Sequence, residues 1–160
     1  MKVKQFLVLF TLLTSTAQSA DLFFSAGASM SNSDGCGGTL TSEISAGINL
    51  NNQISSRITY TDMGTCEFWD SNYNYYSYSH SVNEITFRFM IPNSGHSIIF
   101  FEGGYGQYSA SDGYSTNTAI AGAGISMPLK TDWSWEARVK IYPEEFETIS
   151  NIGASLTYNF

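Results

Sequence analysis

The sequence predicts an all-β chain: an eight-stranded antiparallel up-and-down transmembrane β-barrel. Three observations carry that expectation. Apolar and polar residues alternate along eight successive segments, the period of strands and not of helices. Short turns alternate with longer polar connections. Acids and bases fall in equal number on the polar face of the strands. The one long apolar run, 6–13 behind Lys2 and Lys4, is too short to cross a bilayer as a helix. It reads as a secretory signal over 1–20, cut after Ala20, or after Ser19 so that Ala17 takes the small-residue position. Residues 21–160 remain as one domain. Without a membrane helix, a chain integral to a bilayer must close its sheet to satisfy every backbone group.

The strands follow in order. Over 22–30, Leu22, Phe24, Ala26, Ala28 and Met30 share one face, and the turn formers SNSDGCGG end the run. Over 40–50, Leu40, Ile44, Ala46, Ile48 and Leu50 oppose Thr41, Glu43, Ser45, Gly47 and Asn49, and a tight Asn51-Asn52 turn follows. The third strand, 54–62, sets Ile54, Ile58 and Tyr60 against Ser55, Arg57, Thr59 and Thr61, and 63–80 reads as a long polar loop. In the fourth, Ile85, Phe87, Phe89 and Ile91 alternate with Glu84, Thr86, Arg88 and Met90, and PNSGH reverses the chain. The fifth, 98–108, pairs Ile99, Phe101, Gly103 and Tyr105 against Glu102, Gly104 and Gly106, with SASDGYSTN as the next long loop. The sixth, 118–127, is rich in Ala and Gly. The seventh, 133–142, sets Trp133, Trp135, Ala137, Val139 and Ile141 against Ser134, Glu136, Arg138 and Lys140. The acidic stretch PEEFET leads to the eighth, 149–160, where Ile152, Ala154, Leu156, Tyr158 and Phe160 form the apolar face.

That ending, alternating apolar residues closed by Tyr158 and Phe160, resembles the last strand of small bacterial outer-membrane barrels of the OmpA, OmpX and Ail kind. The resemblance implies that Leu156, Tyr158 and Phe160 are an assembly signal read by the barrel-insertion machinery. It also implies outer-membrane localisation with both chain ends in the periplasm, lipid and lipopolysaccharide as neighbours, and a structural or adhesive, surface-exposed role. A narrow, porin-like small-solute channel is the alternative, and a lipid A modifying enzyme the second.

Charge sorts along the chain. Once Lys2 and Lys4 leave with the signal, five bases face fourteen acids, a formal charge of −9; nucleic acid is excluded as a partner. The polar face carries Glu43, Glu84, Glu102 and Glu136 with Arg57, Arg88, Arg138 and Lys140, a balance that a narrow, poorly hydrated lumen needs and a soluble surface does not. Gly47, Gly104, Gly122, Gly124 and Gly153 are expected to make room for the arginines, and pairing Ile91 with Ile99 sets Arg88 opposite Glu102. A filled lumen favours a rigid, monomeric anchor. Asp34, Asp62, Glu67, Asp70, Asp112, Glu144, Glu145 and Glu147 all fall at the long-loop end, with no base among them. They either keep that end soluble or draw cationic partners.

Candidate sites follow from that plan. Cys36 and Cys66 lie in the first and second long connections of an exported chain and are expected to form a disulfide, whose ring of about 30 residues would contribute about 3–4 kcal/mol. The second connection holds Phe68, Trp69, Tyr73, Tyr75, Tyr76 and Tyr78, which suit a surface for an extracellular ligand. The competing reading makes some of them belt residues where strands leave the bilayer, as Trp133, Trp135, Tyr158 and Phe160 are expected to be at the other end. Catalysis is not expected. His96 lies on the wrong side, and His80, beside Ser79 and Ser81, points with Glu84 toward the lumen; Val82 stands where a lipid A deacylase of the resembled kind has its serine. No cofactor or metal is called for.

Overall fold

In a computed structural model the described residues are 21–33, 37–69, 73, 75–93, 97–143 and 148–160. The expected signal over 1–20 lies outside them. Eight strands form a closed barrel: β1 Asp21–Ser33, β2 Gly37–Asn49, β3 Ile54–Trp69, β4 Tyr75–Pro92, β5 Ile98–Ala110, β6 Ser115–Pro128, β7 Trp133–Pro143 and β8 Thr148–Asn159. Each pairs antiparallel with the next, and β8 closes on β1 from Phe23↔Asn159 to Asn32↔Ser150. Closure removes every sheet edge along the span.

Side chains are sorted opposite to a water-soluble protein. Leu40, Met30, Phe87, Phe101 and Ile152 point outward with exposures of 53–76%, while Glu43, Glu84, Glu102, Glu136, Arg57, Arg88, Arg138 and Lys140 are all buried inside. Water-soluble monomers rarely expose continuous apolar surface beyond a few hundred Å², and this one covers the circumference. Among the expected outward residues, Ile48 is instead buried.

The ends differ from expectation in one respect. No connection exceeds five residues, so the asymmetry lies in strand length and not in long loops. One end, the turn end, carries the connections 50–53, 93–97 and 129–132, closed by bonds such as Leu129 N to Trp133 O at 2.8 Å. In the first of these, Asn51 Oδ1 accepts from the amides of Gln53 and Ile54, both at 2.8 Å. At the opposite, hairpin end, the expected loop over 63–80 is mostly strand: the β3–β4 ladder continues through Cys66↔Tyr78 and Phe68↔Tyr76 to Trp69↔Tyr75. Its neighbours stop earlier, at Ser42↔Asp62 and His80↔Ala110. The ribbon therefore runs about 17 Å past its last pairing with β5, while on the other side Thr39 Oγ1 of β2 still donates to Met63 O at 3.0 Å. A bulge between Asp62 and Gly64 starts it, with Gly64 at φ +80° and its amide donating to Asp62 Oδ1 at 2.9 Å. SASDGYSTN likewise contracts to a tight turn at 111–114, with Gly113 at φ +96°.

Candidate functional site

Three layers fill the lumen. At the turn end a cavity of about 500 Å³ opens, with Phe23, Arg57, Arg88, Phe100 and Glu136 among its lining residues. The ion-pair network lies above it. Glu136 takes Arg57 Nη2 at 3.1 Å, Arg88 Nη1 at 2.7 Å and Arg138 Nη1 at 3.7 Å. The expected Arg88↔Glu102 register is present, and the pair closes at 3.1 Å. Glu43 is paired with Arg138 and lies 4.0 Å from Lys140 Nζ. Glu84 receives Lys140 Nζ at 2.8 Å, Thr61 Oγ1 at 3.1 Å and the Tyr142 hydroxyl at 3.3 Å. All eight expected lumen charges thus meet, and none faces the outside.

The third layer is apolar: Met63, Val82, Tyr108, Ile120, Tyr142 and Ile149 pack across the hairpin end. These side chains, with Phe23 and Phe100, share the inward parity of the lumen charges, but the sequence reading names none of them as lumen residues. The Phe23 ring lies 5.0 Å from the Arg57 guanidinium, and Phe100 lies 3.6 Å from that of Arg88. This corrects the role of the glycines. A Cβ on Gly47 or Gly124 would strike the Phe23 or Phe100 ring, so these two seat phenylalanines; one on Gly122 would lie 2.9 Å from Glu102 Cγ. One on Gly104 would meet the β4 backbone, and one on Gly153 would meet Ser29.

His80 faces inward at the hairpin end, where its Nδ1 meets the Tyr108 hydroxyl and the rings lie 5.5 Å apart. Glu84, its would-be carboxylate partner, is taken up by Lys140, Thr61 and Tyr142. His96 lies outside the described residues. No group of three metal-ligating side chains occurs among the described residues.

The β3–β4 ribbon carries the aromatic set. Tyr73 sits in its turn at φ 62° and 86% exposed. Tyr75 and Tyr76 are exposed on β4, and the Tyr76 and Tyr78 rings stack at 6.2 Å. Phe68 and Trp69 occupy the facing positions on β3. A hydrogen bond to Glu67 holds the Tyr75 phenol proton and raises its pKa. Asp62, Glu67 and Asp112 are exposed here; Asp34, Asp70, Glu144, Glu145 and Glu147 lie outside the described residues. Cys66 is buried on the inward side of the ribbon, and Cys36 lies outside the described residues.

At the turn end, Leu156 and Phe160 are exposed at 44% and 74%. Tyr158 packs between Trp133 and Phe160, with both ring pairs at 4.9 Å. The Phe160 amide donates to Leu22 O at 2.9 Å, tying the chain's last residue to β1.

No protein-family profile and no curated protein matches the chain. Solved structures do. Neisserial surface protein A is 12% identical with a TM-score of 0.68, over 89% of this chain and 100% of that one. The N-terminal β-barrel domain of Pseudomonas aeruginosa OprF is 14% identical with a TM-score of 0.61, over 86% and 97%. Ail of Yersinia pestis, in complex with the heparin analogue sucrose octasulfate, is 13% identical with a TM-score of 0.58, over 88% and 97%. At these identities the likeness is one of fold, and the fold is that of the small eight-stranded outer-membrane β-barrels.

Proposed function

We propose that this chain is a monomeric, non-catalytic barrel integral to a bacterial outer membrane, with its hairpin end outside the cell and the aromatic ribbon as its surface for an extracellular ligand. The observation that carries the reading is the inverted sorting: apolar side chains cover the circumference while all eight lumen charges are buried. Lipid and lipopolysaccharide are then its lateral neighbours. Leu156, Tyr158 and Phe160 are offered to the barrel-insertion machinery as one outward apolar edge. The narrow channel is the weaker alternative, because an apolar layer from Met63 to Ile149 stands across the path an ion would take. The lipid A enzyme is weaker still, because His80 faces the lumen and not the bilayer. Heat-modifiable gel mobility of the folded protein, with surface labelling of an epitope placed at Tyr73 in intact cells, tests the placement. Labelling only after the envelope is breached would overturn the orientation.

The charge of the ribbon sets its ligand class. A polyanion such as the one in the Ail complex would meet Asp62, Glu67 and Asp112, and no lysine or arginine lies at the hairpin end among the described residues. We therefore expect a neutral or cationic partner held on tyrosine faces. Immobilised heparin should not retain the barrel in nanodiscs. An arginine-rich peptide should bind with affinity that falls as salt rises, and by about fivefold or more on Tyr76→Ala; retention on heparin would refute this ligand class.

A Cys36–Cys66 disulfide belongs to the same proposal, because it would anchor the base of a ribbon that runs past its ladder with β5. Alkylation before reduction should leave both thiols unmodified. Reduction should lower stability by about 3 kcal/mol without changing the span.

A further inference from the structure

We propose that the cavity at the turn end is a binding site for a small organic anion, a carboxylate or phosphate head on a short apolar body, with Arg57 as the head-group ligand. The cavity, about 500 Å³, falls within the size range of small-molecule pockets. Its inner end is unevenly compensated. Glu136 is shared by three guanidiniums, at 3.1 Å, 2.7 Å and 3.7 Å. Arg88 has a second carboxylate in Glu102, and Arg138 a second in Glu43. Among the described residues, Arg57 pairs with no second one.

Arg57 is 1% exposed, and its Nε and Nη1 have no hydrogen-bond partner among the described residues; the same holds for Arg88 Nε, and for Nε and Nη1 of Arg138, which does not line the cavity. A guanidinium offers its donors in a plane, in a fork that matches carboxylate and phosphate oxygens. The Phe23 ring lies over Arg57 and the Phe100 ring over Arg88, so a ligand would be met in the guanidinium planes, at the donors that Glu136 and Glu102 leave open: Nε and Nη1 of Arg57 and Nε of Arg88. The walls supply the other half of the match. Phe23, Met90, Ile98 and Phe100 are apolar surface in the same cavity, and Asp21 and Lys130, which also line it, offset each other. A charged head with a short hydrophobic body fits both parts; an inorganic ion fits only one. The assignment stands on the cavity itself and depends on the orientation proposed above only for the side from which the ligand enters.

The test uses the whole barrel in zwitterionic nanodiscs, titrated calorimetrically with phenyl phosphate, with inorganic phosphate and benzyl alcohol in parallel. The expected result is saturable binding of phenyl phosphate with a Kd of about 1 mM or tighter, with neither control matching it. Arg57→Lys keeps the positive charge beside Glu136 but loses the planar fork, and should weaken binding about tenfold or more. Ser134→Trp fills the cavity without altering a charge and should abolish binding. Should Arg57→Lys fail to fold, a shift of the Arg57 Nε–H resonance in the unaltered barrel, saturating with the heat of binding, supports the same assignment. Absence of saturation, equal binding of either control, or undiminished binding to folded Ser134→Trp would overturn it.

Discussion

Replacing Glu136 with Gln should unfold the barrel at markedly lower denaturant, at a cost of about 3–5 kcal/mol. Glu136 is the hub of the lumen network, holding Arg57 at 3.1 Å and Arg88 at 2.7 Å. Amide replacement keeps the volume and removes the charge, leaving the buried guanidiniums in excess over carboxylates. Removing one member of a buried pair is costly because the partner stays desolvated and uncompensated, whereas removing both members often costs little. The double variant Glu136→Gln with Arg57→Met should therefore recover much of the loss. The measurement is the unfolding midpoint in lipid vesicles for both single variants and the double. If their effects merely add, the network is hydrated and its members act independently.

The same network shows what the sequence made legible. Glu84, Arg88, Glu136, Arg138 and Lys140 sit on stretches, 84–91 of β4 and 133–141 of β7, whose other face is uniformly apolar, so a period of two separates them without ambiguity. Phe23 and Phe100 were missed because Phe24 and Phe101 follow them directly, and alternation carries no contrast where both faces are aromatic. A signal existed in the glycines: the register pairs Phe23 with Gly47 and Phe100 with Gly124, rings laid across residues that lack a side chain. The β3–β4 ribbon was hidden for a different reason. The bulge between Asp62 and Gly64 shifts the phase of β3 in mid-strand, and the facing run YYSYSHS has no aliphatic residue to mark a strand. Turn formers misled in the opposite direction at 111–114, where Asp112 and Gly113 close a tight hairpin inside a stretch that reads as a long loop.

A charge placed on the outer wall should distinguish lipid from water directly. Phe87 lies midway along the span of β4, 59% exposed, between inward Thr86 and Arg88. Were the wall in water, Phe87→Arg would be close to neutral, since exposed substitutions usually change stability by less than about 0.5 kcal/mol. In a bilayer the guanidinium would sit near the midplane, and the expected loss is about 2–4 kcal/mol. The same change at Thr65, exposed on the ribbon beyond the barrel wall, should cost almost nothing. Unfolding midpoints of both variants in vesicles would give the contrast. The two effects must differ, because only the wall position exchanges acyl chains for a charge. Equal small losses at both sites would mean that the apolar circumference does not face lipid, and the membrane assignment would fall with it.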